Sequence, residues 1–267
     1  MSETDYRERF GGIERLFGRT TFDHVADLHV CVVGLGGVGS WAAEALARTG
    51  VGRLTLIDFD EVSTGNINRQ LHALSSTVGH KKHAAMQQRI MQINPDCDVH
   101  AIDDFLTRDN VGTLLSPDHG HDCVIDAIDS ITHKAALIYY CRRNKIPVIA
   151  TGGAGGLTDP TQVRVADLSR TYNDALAARV RQRLRADYGY TRNPKRYFGI
   201  ECVFSSQQKL YPKTDGSVCS AKPGIHGIDL DCRYGYGSAS FVTATFGMFA
   251  AARAMEKAIR HYERRKS

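Results

Sequence analysis

The stretch Leu28-His29-Val30-Cys31-Val32-Val33-Gly34-Leu35-Gly36-Gly37-Val38-Gly39 decides the fold. Residues 28–34 are a short apolar run ending in glycine, and residues 38–49 follow with apolar side chains at helical spacing. That pattern reads as a buried strand, a turn and a helix. Small residues in the turn let a phosphate approach backbone N–H groups, and the positive end of the helix favours the anion. Asp58 ends the next apolar run, residues 51–58. It stands about 20 residues further on, where a dinucleotide-binding fold carries a ribose-binding carboxylate. On these features alone, Gly34, Gly36, Gly37, Gly39 and Asp58 fit NAD, FAD or ATP.

Working outward, helix and strand patterns alternate. A helix over residues 81–93 stops before Asn94-Pro95; strands are expected at 99–103, 122–126 and 146–151, with helices at 111–115 and 134–144 between them. Such alternation predicts an α/β fold: a Rossmann-like, mostly parallel sheet with helices on both faces. Gly152-Gly153-Ala154-Gly155-Gly156 interrupts the pattern, before a strand at 162–166 and an arginine-studded helix at 174–188. Residues 189–236 have weak periodicity, with one strand expected at 200–204; an irregular region of that length in a compact chain is functional or disordered. Residues 238–260 read as a final core helix, and the basic tail Arg264-Arg265-Lys266 is expected to fray.

Composition narrows the class. With 267 residues, 42% of them hydrophobic, and a formal net charge of +5, the chain can bury a sizeable core and tolerates a polyanionic partner without demanding one. The 7 cysteines are odd in number, and Cys31, Cys123 and Cys141 sit inside apolar runs, which argues for a reducing compartment rather than a disulfide framework. No Cys-x-x-Cys pair occurs, so no structural zinc of the usual spacing is expected. The N-terminus is polar, and the apolar segment 238–255 carries Arg253 and falls short of the roughly 20 residues of a bilayer span. A cytoplasmic protein, and no integral membrane protein, is expected.

The nucleotide candidates separate at Asp58-Phe59-Asp60-Glu61-Val62, Asn66-Ile67-Asn68-Arg69-Gln70, Val78-Gly79-His80-Lys81-Lys82 and Asp126-Ala127-Ile128-Asp129-Ser130. A nicotinamide oxidoreductase has no physical use for this set. It resembles the ATP site of the ubiquitin-activating-enzyme-like (ThiF-MoeB-HesA) superfamily of adenylating enzymes. The resemblance implies that Asp58 and Asp60 face ribose and adenine, that Asn68, Arg69 and Gln70 meet the triphosphate, and that Lys82 lies near the α-phosphate. Lys81 is adjacent, but Lys82 keeps the motif spacing from Gly79. Attack of a carboxylate on the α-phosphorus builds negative charge, so Arg69 and Lys82 are the candidates to stabilise it. Asp129 matches the carboxylate linked to Mg2+, although Ser130 replaces the superfamily's asparagine; for Asp126 and Asp129 the other reading is a cap on the next helix. Tyr6-Arg7-Glu8-Arg9-Phe10-Gly11-Gly12 resembles the arginine segment that superfamily dimers insert into the partner's site. Arg9 would then act in trans within a homodimer; otherwise it is an ordinary exposed arginine.

Longer stretches resemble one branch, the tRNA threonylcarbamoyladenosine dehydratases: Gly36-Gly37-Val38-Gly39-Ser40-Trp41-Ala42-Ala43-Glu44, Tyr140-Cys141-Arg142-Arg143-Asn144-Lys145-Ile146-Pro147, residues 151–156, Asp159-Pro160-Thr161-Gln162 and Val242-Thr243-Ala244-Thr245-Phe246-Gly247. The match covers most of the chain and is poorest at residues 188–236. It implies one adenylation domain, residues 1–267, made of an N-terminal helical segment (1–27), a nucleotide-binding core (28–170), a basic helix with a loop-rich region (171–236) and a C-terminal helix (237–267). The implied reaction is ATP-dependent dehydration of threonylcarbamoyladenosine next to the tRNA anticodon. Its threonyl carboxylate is adenylated and the neighbouring ureido group displaces AMP, a step favoured by the high effective concentration of two groups on one nucleoside. The resemblance also leaves room for a monovalent cation and for sulfur-transfer partner proteins. The alternatives are an activator of a small ubiquitin-fold sulfur carrier and a sulfur-relay protein.

Cys232 precedes the Gly235-Tyr236-Gly237 turn. In ubiquitin-type relatives a loop cysteine forms a thioester or accepts sulfur; a structural or solvent-facing thiol is the other reading. Arg179, Arg181, Arg183 and Arg185 alternate along one helix, followed by Arg192, Lys195 and Arg196. Alternation spreads charge around a helix and so reads first as solvated surface. The cluster is also the first choice for tRNA phosphates, through Arg179, Arg183, Arg192, Lys195 and Arg196.

Overall fold

Strand β1 (His29–Val33) is buried along its whole length. Its alternate residues feed two cores, Val30 and Val32 on one face and Cys31 and Val33 on the other. Burial on both faces is what a central parallel strand requires. The computed structural model describes residues 2–213, 215–220 and 236–266. β1 pairs in parallel with β2 (Arg53–Ile57) on one side and β4 (Cys123–Asp126) on the other. β3 (Asp98–Ile102), β5 (Val148–Thr151), β6 (Val163–Asp167) and β7 (Glu201–Ser205) complete a sheet ordered β3-β2-β1-β4-β5-β7-β6. Strand order reverses beside β1, and the crevice there, at the carboxyl ends of the strands, is where open α/β sheets bind ligands. The last strand departs from the simple parallel reading: β6 runs antiparallel to β7.

One face is covered by α3 (Gly39–Arg48), α4 (Lys82–Ile93) and the long α8 (Ser240–Lys266); the other by α5 (Val111–Leu114), α6 (Ile131–Arg143) and α7 (Ala175–Asp187). Before them, α1 (Glu3–Phe17) and α2 (Arg19–Val25) pack at the N-terminal edge of the sheet, where the Tyr6 hydroxyl donates to Gly50 O at 2.6 Å. In the loop-rich stretch, β8 (Tyr211–Pro212) and β9 (Val218–Cys219) form a small antiparallel pair. Cys31, Cys97, Cys123, Cys141 and Cys202 are free and buried. No described helix is long and apolar enough to cross a membrane.

The C-terminal tail does not fray as expected. α8 continues to Lys266 because its last turns are tied to distant residues. The buried Tyr262 hydroxyl bonds Asp27, and Arg265 lies 2.7 Å from Asp122.

Candidate active site

The glycine turn between β1 and α3 has no room for a side chain at two of its positions, Gly34 and Gly39. Gly34 has φ +87°, and its N–H donates to Ile57 O at 2.9 Å. A Cβ on Gly39 would stand 1.8 Å from Gly34 O, whereas one on Gly36 would meet nothing within 4 Å. Gly39 therefore allows the helix to start against the strand, and Gly36 is open to the cleft. Gly37 lies between Arg69 and Thr243.

The cleft has a volume of about 1020 Å³ and is floored by the carboxyl ends of β1, β2, β4 and β5. Gly34, Gly36, Gly37, Asp58, Asp60, Asn68, Arg69, Gln70, Lys82 and Asp129 all line it. Thus nearly every motif residue singled out in the sequence converges on one place; Gly39 stands just behind the turn.

Two carboxylates have tasks that the spacing did not reveal. Asp58 Oδ2 accepts the Leu35 N–H at 2.6 Å and its Oδ1 accepts the Asp60 N–H at 2.9 Å. Burial raises its pKa, opposed by the hydrogen bond from Leu35 and the Lys82 charge. Asp58 thus holds the glycine turn to the end of β2 as well as facing the cleft. Asp60 and Lys82, expected at opposite ends of a nucleotide, are paired: Lys82 Nζ lies 2.7 Å from Asp60 Oδ2. Lys81 points elsewhere, to Phe59 O at 2.9 Å and Asp103 at 3.2 Å.

The loop carrying Asn68, Arg69 and Gln70 is fixed from α3 and α8. Trp41 Nε1 and the Thr243 hydroxyl both donate to Arg69 O, at 3.0 and 3.3 Å, and Asn68 Nδ2 donates to Ser238 O at 2.8 Å. Arg69 Nη1 donates to Gly65 O and Asn68 Oδ1, which leaves the guanidinium beside the cleft. Gln70 is buried, and its Oε1 has no hydrogen-bond partner among the described residues.

Asp126 and Asp129 divide. Asp126 is wholly buried against Lys134 at 3.0 Å, and Lys134 also donates to the Asp126 and Ile128 carbonyls. Burial raises the Asp126 pKa, with the Lys134 charge acting against it. This carboxylate orders the turn after β4. Asp129 is exposed in the cleft and has no hydrogen bond or ion pair among the described residues.

Residues in and behind one wall of the cleft escaped the sequence reading. Asp174 caps α7 through the Ala177 N–H and accepts the Gly153 N–H at 3.0 Å. Lys209 is buried, donates to Gly153 O at 2.8 Å and Gly155 O at 3.0 Å, and has its pKa lowered by burial, with Asp174 raising it. Tyr236 stands beside it. The glycine cluster at 152–156 was the available signal, since close backbone packing needs a partner.

Arg9 is not in this chain's cleft. It is exposed on α1, with Nη1 3.5 Å from Ile93 O, at the opposite edge of the sheet. Its position in its own chain is that of an ordinary exposed arginine. Cys232 lies outside the described residues. On α7 the arginines split by helical period: Arg181 bonds Thr171 and Arg185 sits 5.4 Å over the Phe198 ring, whereas Arg179 and Arg183 are exposed. Arg192, Lys195 and Arg196 are exposed on the loop that follows α7.

The residues present suit a nucleoside triphosphate. Open N–H groups at a helix start and the cations of Arg69 and Lys82 face one cleft. Among the described residues no group of three or more metal-ligating side chains occurs. A single free carboxylate at Asp129 nevertheless suits Mg2+, which takes most of its ligands from phosphates and water.

A doubly wound sheet with a glycine turn, a lysine and an arginine over its switch point defines a nucleotide-binding protein of the adenylating type. The chain belongs to the ThiF family, whose model matches residues 12–266. It is 54% identical to the tRNA threonylcarbamoyladenosine dehydratase of Escherichia coli over 253 residues, covering 94% of each chain. It is 49% identical to that of Haemophilus influenzae, over 96% of this chain and 95% of the relative. The solved E. coli enzyme in complex with ATP superposes with a TM-score of 0.86, at 49% identity and 98% coverage of both chains.

Proposed function

We propose that this protein is an ATP-dependent enzyme that dehydrates N6-threonylcarbamoyladenosine in tRNA. The observation that carries this reading is the end-to-end similarity to dehydratases of the same name, one of them solved with ATP. The sulfur-carrier and sulfur-relay alternatives have no comparable support along the whole chain.

The cleft supplies what the first step needs. Backbone N–H groups at Gly36 and Gly37 receive phosphate, and Lys82 and Arg69 face the charge that grows as the threonyl carboxylate attacks the α-phosphorus and pyrophosphate departs. Asp129 would hold Mg2+, which supplies neutralisation of the phosphate oxygens. The ureido group of the same nucleoside then attacks the activated carbonyl and AMP leaves, carrying one oxygen of the former carboxylate. Both reacting groups belong to one substrate, so no nucleophile from the protein is required. Cys232 therefore has no necessary role in this scheme. A homodimer, with Arg9 reaching the partner's cleft, is part of the proposal, as are the cytoplasmic location and the contacts of Arg179, Arg183, Arg192, Lys195 and Arg196 with tRNA phosphates.

The test is to incubate the protein with ATP, Mg2+ and RNA bearing the modified nucleoside. The expected result is a nucleoside lighter by one water, with pyrophosphate formed only when the modification is present. An unchanged nucleoside contradicts the reading, and pyrophosphate release stimulated by a small ubiquitin-fold protein instead would favour the sulfur-carrier alternative.

A further inference from the structure

The nucleotide reading uses the turns after β1, β2 and β4, and leaves the other wall of the cleft without a task. That wall consists of residues 152–155, Leu176, Lys209 and Tyr236. Tyr236 is 39% exposed although it sits inside a cleft. Its ring is placed by fixed backbone: Gly156 N–H donates to Gly237 O at 2.7 Å, and Leu210 N–H donates to Gly156 O at 2.8 Å. A Cβ on Gly155 would come within 2.9 Å of Tyr236 Cβ, and one on Gly156 within 3.1 Å of its Cδ1, so the glycines let the ring lie against the main chain. Lys209 Nζ is 5.1 Å from the ring centroid. Two of its donors are already engaged by Gly153 and Gly155, which makes it a support for the ring and not a free cation. Arg179 lies one turn into α7 and is exposed. It lies three residues after the cleft-lining Leu176, on the same face of that helix.

We propose that this wall is the acceptor-nucleoside pocket, with Tyr236 as the platform on which the purine of the modified nucleoside stacks, Leu176 as its apolar flank, and Arg179 as the contact to the adjoining RNA phosphate. The proposal rests on the dehydratase reading and assigns the residues that receive its RNA substrate. An enzyme acting on a nucleoside within an RNA loop must take that base out of its stack to bring the threonyl carboxylate to the α-phosphorus, and an aromatic face replaces the lost stacking. A ring seated on main chain offers that face without first having to be ordered. The platform stands by the loop after β5 and Lys82 by the loop after β2, on either side of the central strands, so a base stacked there shares one cleft with the phosphate site.

The experiment measures KM for RNA bearing the modified nucleoside and KM for ATP, in the wild type and in Tyr236→Ala, Tyr236→Leu and Tyr236→Phe. Losing a stacked base raises the RNA KM about tenfold in Tyr236→Ala and Tyr236→Leu, with ATP KM unchanged, and Tyr236→Phe restores the RNA KM because it keeps the ring face. Tyr236→Leu retains bulk and serves where Tyr236→Ala fails to fold. An unaltered RNA KM in either variant, an equal rise in ATP KM, or a Phe variant as impaired as the Ala variant overturns the proposal. Wild-type protein that leaves modified RNA intact would overturn the dehydratase reading and this pocket with it. An active wild type with an indifferent Tyr236 overturns the pocket alone.

Discussion

Lys82 Nζ sits 2.7 Å from Asp60 Oδ2, with Lys82 buried at the side of the cleft and Asp60 exposed. The pair holds the lysine at a fixed place before any phosphate arrives. Such a positioned cation stabilises developing charge without reorganising at the moment of reaction.

Removing that ammonium therefore slows chemistry more than it weakens folding. Lys82→Ala is expected to lower the rate of pyrophosphate release about 100-fold or more, the scale of losing one preorganised electrostatic group. Lys81→Ala, whose ammonium is taken up by Phe59 O and Asp103 and which does not line the cleft, should cost less than about threefold on the same scale. Rapid-quench measurement of pyrophosphate with saturating modified RNA reads both. The reverse ranking of the two lysines would contradict the assignment.

The glycine turn makes a paired prediction about folding and binding. A methyl on Gly39 would overlap Gly34 O, so Gly39→Ala is expected to destabilise the protein by about 3 kcal/mol or more, as other forced overpacking does. Gly36→Ala places its methyl in open cleft space, so stability should change by less than about 1 kcal/mol while ATP binds more weakly. Urea unfolding and ATP titration separate the two effects, and equal destabilisation by both substitutions would contradict the geometry.

These glycines were legible in the sequence because their function is local: the strand, the turn and the start of the helix follow one another directly along the chain. Asp58, Asn68, Arg69, Gln70 and Asp129 were legible for a related reason, since each stands just past the end of a strand or on the loop that follows it, and Lys82 opens the helix at the end of such a loop. Lys209, Asp174 and Tyr236 were not, because they meet only after β5 and β7 become neighbours. Nor was the direction of β6, whose alternating residues read the same in either sense. The ordered end of α8 depends on Asp27 and Asp122, both more than a hundred residues away. Periodicity alone placed Arg181 and Arg185 among surface charges, and packing against Thr171 and Phe198 turned them inward.

At the edge of the sheet opposite the cleft, the rings of His29 and His121 lie 4.4 Å apart, both buried. Burial lowers the His29 pKa to about 4 and the His121 pKa to about 3, the latter helped by the charges of His29, His119 and His100. Both folded-state values lie below the unfolded value of 6.5, so the unfolded chain binds more protons at intermediate pH. Stability is therefore complete above pH 6.5 and falls as pH drops below it toward 4. The loss amounts to about 2 kcal/mol per ring at about pH 5. Urea unfolding across this range should show the slope, and His121→Leu should flatten it, since neither His121 nitrogen has a hydrogen-bond partner among the described residues. An equally steep profile in the variant would contradict the account.

Attack of the threonyl carboxylate itself on the α-phosphorus in this cleft would leave its mark in the fate of one carboxylate oxygen. With substrate RNA labelled by heavy oxygen in the threonyl carboxylate, the AMP released during dehydration is predicted to carry one labelled oxygen. Unlabelled AMP, formed while the nucleoside still loses its water, would contradict it.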